Sequence, residues 1–263
     1  MSNALEFSNV LLSQTGKKGV LKKLDGGYYE ILLGAFGTTG NGGWFYNTKS
    51  AMRYIRSDRE FMAMLNSGRI RSEYGHPIRT PGMTDAEWFV RINTILESNV
   101  SSHIRAIDFS QDLVKDARGR SVVAVVGQVR PYEETFRQQF ENPHEDVNYS
   151  VRCFAKRDFR NMQKHLTKII TWDNVYDPGV KLASKYHTPS LESNAIDFEN
   201  PKDIAIALDS YEFNVSRLKE EVAAIDHIGS FESRSDIITV IDHLVERTSV
   251  SVAMPSRSKF LEI

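Results

Sequence analysis

Seven histidines are scattered along the chain (His76, His103, His144, His165, His187, His227 and His243), and one of them stands in unusual company. In RIRSEYGHPIRT, residues 69–80, His76 lies between Gly75, which admits backbone angles closed to other residues, and Pro77, which fixes its own. An imidazole presented from so stiff a turn suits general-base chemistry, because a base must be held in place to abstract a proton. The candidate proton donor is Ser150 in VNYSVRCF. Side chains alternate along a strand, so Ser150 and Arg152 share one face while Val151 and Cys153 share the other. Ser150 is thereby paired with a guanidinium able to stabilise an oxyanion or order a water, whereas Cys153 packs into the core. A hydroxyl nucleophile also needs its base oriented by a third group. Asp173 in KIITWDNVYDPG is one candidate, because an acid in an apolar, aromatic strand is costly unless paired, and His103 in SSHIRAI is the other. Glu73, on the same turn as His76, can also orient it, although a structural role is the simpler reading. Without such partners, Ser150 would be an ordinary hydroxyl on a polar strand face.

The elements that must carry these residues are legible in outline. GYYEILLGAF (27–36) reads as a strand and TTGNGGWF after it as glycine-dense turn. Lys49 to Leu65 places Met52, Tyr54, Ile55, Phe61, Met62 and Leu65 at mostly three- and four-residue steps, which predicts one amphipathic helix closed by Ser67-Gly68. Thr84 to Glu97 opens with Thr84 as N-cap and Glu87 three residues on, a capping box, and carries Trp88, Phe89, Ile92, Ile95 and Leu96 on one side. The period then changes to two: residues 102–109, 120–130, 147–155 and 165–175 read as strands. From about Asn200 the pattern turns helical again over 201–228 and 233–248, with GSFESRS (229–235) as a joint. These spans predict an α+β body over residues 1–195 and a helical C-terminal region over 196–263.

Composition bounds the function. The 33 Lys+Arg against 34 Asp+Glu leave no excess of positive charge to drive counterion release, which argues against direct binding of nucleic acid. The single cysteine, Cys153, forbids an intrachain disulfide and fits a reducing compartment. No run approaches the roughly 18 apolar residues of a membrane helix, so no membrane partner is expected. A metal-dependent hydrolase built on His76, His103 and Asp173 is weakened by the lack of any HExxH-like or Cys-x-x-Cys spacing, and neither a metal nor another cofactor is expected.

Four segments in one order resemble a known family. SEYGHP is similar to the G-E-L-x-H-P signature of the prohead proteases of T-even-like tailed bacteriophages, with Glu73, Gly75, His76 and Pro77 in agreement. NVSSHIRAIDF (99–109) resembles the N-V-S-H-x-I-R strand that follows. YSVRC resembles the V-S-S-R-G nucleophile strand, with Ser150 at the nucleophile and Arg152 at the arginine. KIITWDNVYDPGVKLASKYHTPS resembles the closing segment of the domain. Ser72, Tyr74 and Cys153 depart from the pattern, and residues 84–97 add a helix between Pro77 and Val100.

Such proteases resemble the herpesvirus maturation protease. The resemblance therefore implies a closed antiparallel β-barrel surrounded by helices and a catalytic order of His76, Ser150 and then a third residue downstream, where Asp173 has the better spacing and His103 is the alternative. It implies a serine endopeptidase that cleaves scaffold and major capsid proteins inside the assembling prohead, in the host cytoplasm. Arg152 and Glu73 would support the site and backbone N–H groups near Ser150 and Arg152 would face the oxyanion. Relatives favour cleavage after glutamate, which marks Glu192 in Ser190-Leu191-Glu192 and Glu232 in Ser230-Phe231-Glu232 as self-cleavage points that would shed the C-terminal region. The herpesvirus relatives act as dimers, which leaves a homo-oligomer open. The competing reading is an inactive, protease-like capsid assembly protein that keeps the barrel and uses its C-terminal helices as a handle.

Overall fold

The computed structural model describes residues 4–8, 19–40, 43–115, 119, 121–176, 180, 183–191, 210–224 and 233–250. In chain order its elements are β1 (Ala4–Ser8), β2 (Tyr29–Phe36), β3 (Phe45–Tyr46), α1 (Thr48–Ser57), α2 (Arg59–Asn66), β4 (Arg71–Glu73), α3 (Asp85–Asn93), β5 (Val100–Lys115), β6 (Ser121–Pro131), α4 (Glu134–Glu141), β7 (Asn148–Asp158), β8 (Gln163–Val175), β9 (Ser210–Asn214), α5 (Val215–Ala224) and α6 (Arg234–Val250). The class is mixed α+β.

The strands form two sheets, β3-β8-β7-β1-β9 and β2-β6-β5-β4. Every pairing is antiparallel except that of β3 with β8. Register shifts at Leu32/Gly34, Ile104/Ala106 and Arg152/Cys153 put bulges into the long strands, and bulges bend and twist what would otherwise be a flat ladder. The sheets curl accordingly into a half-barrel and meet where Tyr74 bridges Asn174. Among the described residues they do not join into one uninterrupted ring.

Two cores result. The first fills the concave side, where Ile31, Leu33, Val125 and Val129 of one sheet meet Tyr149, Cys153, Ile169 and Trp172 of the other. The second lies on the opposite face of the five-stranded sheet, where Phe154 and Ile170 are covered by Trp88, Phe89 and Ile92 of α3, Leu218 and Val222 of α5, and Ile237, Ile241 and Leu244 of α6. Cys153 and Phe154 fall into different cores, as strand alternation demands.

Three expectations are corrected. The single helix over 49–65 is two, because the Asp58 carboxylate accepts the Phe61 amide at 2.7 Å and so ends α1 and caps α2 at one residue. The helix expected over 84–97 stops at Asn93, leaving Ile95 and Leu96 in a link; the capping box is formed, with the Glu87 amide donating to Thr84 Oγ1 at 3.2 Å and the Thr84 amide to Glu87 Oε2 at 2.8 Å. Within the supposed helix over 201–228, Ser210–Asn214 is a strand that pairs with all five residues of β1, and tertiary pairing there overrides the local period. The helix α4, with Phe136 and Phe140 buried one turn apart, and the short strands β3 and β4 had no counterpart in the periodicity.

Candidate active site

The turn carrying His76 is fixed from both sides. Gly75 has φ +71°, the left-handed region that a side chain would strain, and its amide donates to the Asn174 carbonyl at 2.6 Å. The chain leaving β4 is therefore pinned to β8 one residue from Asp173, and the imidazole of His76 is delivered onto that aspartate. His76 Nδ1 lies 2.8 Å from Asp173 Oδ2. A carboxylate can only accept, so Nδ1 carries the proton and Nε2 presents its lone pair. Among the described residues, that buried Nε2 has no hydrogen-bond partner, Ser150 included.

Ser150 and Asp173 face each other directly across the β7–β8 ladder. Opposed residues of an antiparallel pair point to the same side with Cβ atoms about 4.5–5.5 Å apart, so the hydroxyl and the carboxylate that holds the imidazole share one face. Ser150 is 4% exposed. The hydroxyl-bearing strand position, the imidazole and the acid are thus gathered. The bond between Nε2 and the serine is not formed, a contact that commonly closes only in a Michaelis complex.

Asp173 is fully buried and saturated with donors. Oδ2 accepts from His76 and from Arg152 Nε at 2.8 Å, while Oδ1 accepts from Arg152 Nη2 at 2.7 Å and from the Glu73 amide at 3.1 Å. Burial pushes its carboxyl up, but the Arg152 charge and the bonds from His76 and Arg152 outweigh burial and hold it below the ordinary value. Arg152, equally buried, is one diagonal step away, and Nη2 also reaches Glu73 Oε2 at 3.1 Å while Nη1 donates to the carbonyls of Ile92 and Thr94. All three of its nitrogens are therefore engaged by the protein, so the guanidinium supports Asp173 from behind.

Glu73 accepts the Leu96 amide at 2.6 Å and both terminal nitrogens of Arg91, at 3.2 and 2.6 Å. Arg91, Glu73, Arg152 and Asp173 form an alternating row of two cations and two anions, the arrangement in which buried charges are tolerated. Arg91 had no signal in the sequence beyond a basic residue within an expected helix, because its partners lie in other elements.

His103 has other bonds. Its Nε2 lies 2.9 Å from the Gly68 carbonyl and must donate to it, so Nδ1 accepts from the Tyr28 hydroxyl at 2.7 Å. Burial, opposed by that carbonyl bond and aided by Arg71 and Arg130, lowers its pKa. It makes no bond to His76 or Asp173. Among the described residues no group of three or more His, Cys, Asp or Glu side chains is placed to hold a metal ion. Glu192 and Glu232 lie outside the described residues. Among the described residues no helix is long and apolar enough to cross a membrane.

The model of the Peptidase S80 family matches residues 7–242. The capsid maturation protease of Pseudomonas phage phiKZ is 31% identical over 199 residues, which cover 73% of each chain. No solved structure matches the chain.

Proposed function

The chain belongs to the peptidase S80 family and is a protease, and we propose that it is a serine endopeptidase of phage capsid maturation whose nucleophile is Ser150, with His76 as base and Asp173 as the orienting acid. The observation that carries the assignment is the 2.8 Å contact of His76 Nδ1 with Asp173, the residue paired with Ser150 across the ladder. It fixes the tautomer that leaves Nε2 free to take a proton, and it supports Asp173 over His103 as the third member.

The steps follow from the atoms. His76 Nε2 removes the Ser150 proton as the alkoxide attacks the scissile carbonyl, and the resulting imidazolium is stabilised by the ionised Asp173. The oxyanion is received by backbone N–H groups near Ser150 and Arg152, since the Arg152 side chain is committed to Asp173 and Glu73. His76 returns its proton to the leaving amine, and water, activated by the same imidazole, releases the acyl group. The proposed substrates are scaffold and major capsid proteins inside the assembling prohead; the name of the phiKZ relative, a capsid maturation protease, supports a role in capsid maturation. A closed barrel of the herpesvirus-protease type and self-processing after Glu192 and Glu232 belong to the same proposal.

A serine-directed fluorophosphonate tests it. Wild type should be labelled at Ser150 and should cleave peptide bonds, whereas Ser150→Ala should do neither and should keep its own mass on prolonged incubation. Absence of labelling in wild type would favour an inert capsid assembly protein built on the same fold.

A further inference from the structure

Glu73 is as deeply buried as Asp173, and its carboxylate bonds to Arg91, Leu96 and Asn99 rather than to His76. Its carboxylate is instead the junction between the catalytic row and α3. Arg91, in the last turn of that helix, clasps both Glu73 oxygens and also donates to the Thr94 carbonyl at 3.1 Å. Arg152 donates to that same carbonyl, so the two guanidinium groups grip the exit of α3 together.

The helix is held from its other end by C-terminal elements. Glu221 of α5 accepts the Ala86 amide in the first turn of α3 at 3.0 Å, a position where the helix dipole favours an anion. Phe89 packs its ring 5.8 Å from Phe213 of β9 and 5.4 Å from Phe154 of β7.

We propose that Arg91 is a positioning residue for the His76–Asp173 pair, acting through Glu73 and Arg152, and that α5 keeps it in register by anchoring α3. The inference rests on the reading of His76 and Asp173 as base and orienting acid. Its physical basis is the sharing of Arg152 Nη2 between Asp173 at 2.7 Å and Glu73 at 3.1 Å. While Arg91 satisfies Glu73, the guanidinium stays nearer Asp173. Without Arg91, Glu73 is an undercompensated buried anion and draws Arg152 toward itself, which loosens the carboxylate that aligns the imidazole. The C-terminal elements thereby become part of the support of the site.

The test uses the full chain with Arg91→Met, Arg91→Lys and Glu221→Gln, read by kcat, KM and the proton resonance of His76 Nδ1–H. In Arg91→Met, kcat should fall between about tenfold and a hundredfold, as for a small misplacement of a catalytic group, with KM nearly unchanged and the Nδ1 proton shifted from its carboxylate-bonded position. Arg91→Lys, which keeps the charge but not the two-pronged grip, should fall between it and wild type. Glu221→Gln should move both readings the same way by less. If Arg91→Met melts earlier but keeps the wild-type kcat and Nδ1 resonance, Arg91 is merely structural and the proposal is wrong. Should Arg91→Met not fold, Arg91→Lys decides: a lowered kcat with a displaced resonance supports the proposal, and wild-type values for both overturn it. Failure of the parent reading shows separately, as a wild type that the fluorophosphonate does not label, while the His76 resonance still reports whether Arg91 aligns the ring.

Discussion

Replacing Asp173 by asparagine changes one atom's valence and leaves the shape, and its consequences can be worked out bond by bond. The carboxylate accepts two donors at each oxygen: His76 Nδ1 and Arg152 Nε at Oδ2, Arg152 Nη2 and the Glu73 amide at Oδ1. An amide offers one accepting oxygen and one NH2, so whichever way it turns, two donors face a donor. If the NH2 takes the Oδ2 position, the imidazole is driven to the tautomer with Nδ1 bare and Nε2 protonated, which cannot act as base toward Ser150. If it takes the Oδ1 position, Arg152 and the Glu73 amide are left opposed. Either way the buried row becomes Arg91, Arg152 and Glu73, with one positive charge uncompensated. Breaking a buried ion pair from one side costs about 3–5 kcal/mol, and losing the orienting acid of a serine–histidine pair costs about 10⁴ in kcat. At roughly 2–4 °C per kcal/mol for a chain of this size, the melting temperature should drop by about 6–20 °C. Hydrolysis and fluorophosphonate labelling should be measured well below that lowered midpoint, with circular dichroism confirming the fold. The pH dependence has a definite sign. Because the folded-state pKa of Asp173 lies below the ordinary 3.8, its stabilisation is complete above that value and is lost as pH falls further, so the gap in stability between wild type and Asp173→Asn should narrow in that acid range. A folded Asp173→Asn with activity within tenfold of wild type would refute the assignment.

The remaining predictions are shorter. His103→Ala should retain activity within a few-fold while losing about 1–3 kcal/mol, because it leaves the Tyr28 hydroxyl and the Gly68 carbonyl unpaired without touching the His76–Asp173 contact; denaturant melts beside peptide hydrolysis check this, and a loss of activity like that of Asp173→Asn would reassign the third role. Lys185, buried against the carbonyls of Gln139 and Asn142, has its pKa pushed down by burial from 10.5 to about 8. Its protonated form is thus disfavoured in the fold, so Lys185 should add stability of about 3 kcal/mol as pH rises from 8 to 10.5, a slope missing from Lys185→Met in paired urea titrations.

That His76, Ser150 and Asp173 come together could be anticipated from the chain because each sits in local punctuation that costs something to keep: Gly-His-Pro around the histidine, an alternating strand for the serine, an acid amid Ile169, Ile170 and Trp172. Alternation also sorted Ser150 and Arg152 from Cys153 correctly, since it depends only on the period of a strand. Legibility ended where a residue's role depends on partners far away in the chain. Arg91 looks like any solvated arginine of a helix until β4 brings Glu73 beneath it. Ser210–Asn214 lies within a helical pattern and becomes a strand only because β1, some 200 residues earlier, offers a free edge. Asp58 breaks a continuous amphipathic run because its side chain competes for the Phe61 amide and is fastened by Arg247 from α6. Beside Ser150, the Arg152 guanidinium is able to stabilise an oxyanion, order a water or support the site, and the structure gives it the last of these. Strand alternation gives the face and leaves open which partner on it takes the charge, and two buried carboxylates outcompete a cleft.

The position of α3 joins these threads. A helix placed between the base turn and β5 could have been a surface decoration, yet its exit supplies the Ile92 and Thr94 carbonyls and Arg91 to the buried row, and its entry is capped by Glu221 of α5. The turn that bears His76 leaves β4 and is pinned at Gly75, and Glu73 is the last residue of β4. Any displacement of α3 therefore reaches the imidazole by two routes: through Glu73 to the strand that bears the turn, and through Arg152 to the acid that orients the ring. A site buried this way exchanges solvent flexibility for dependence on packing at a distance, and on the proposed reading α5 acts on it through α3.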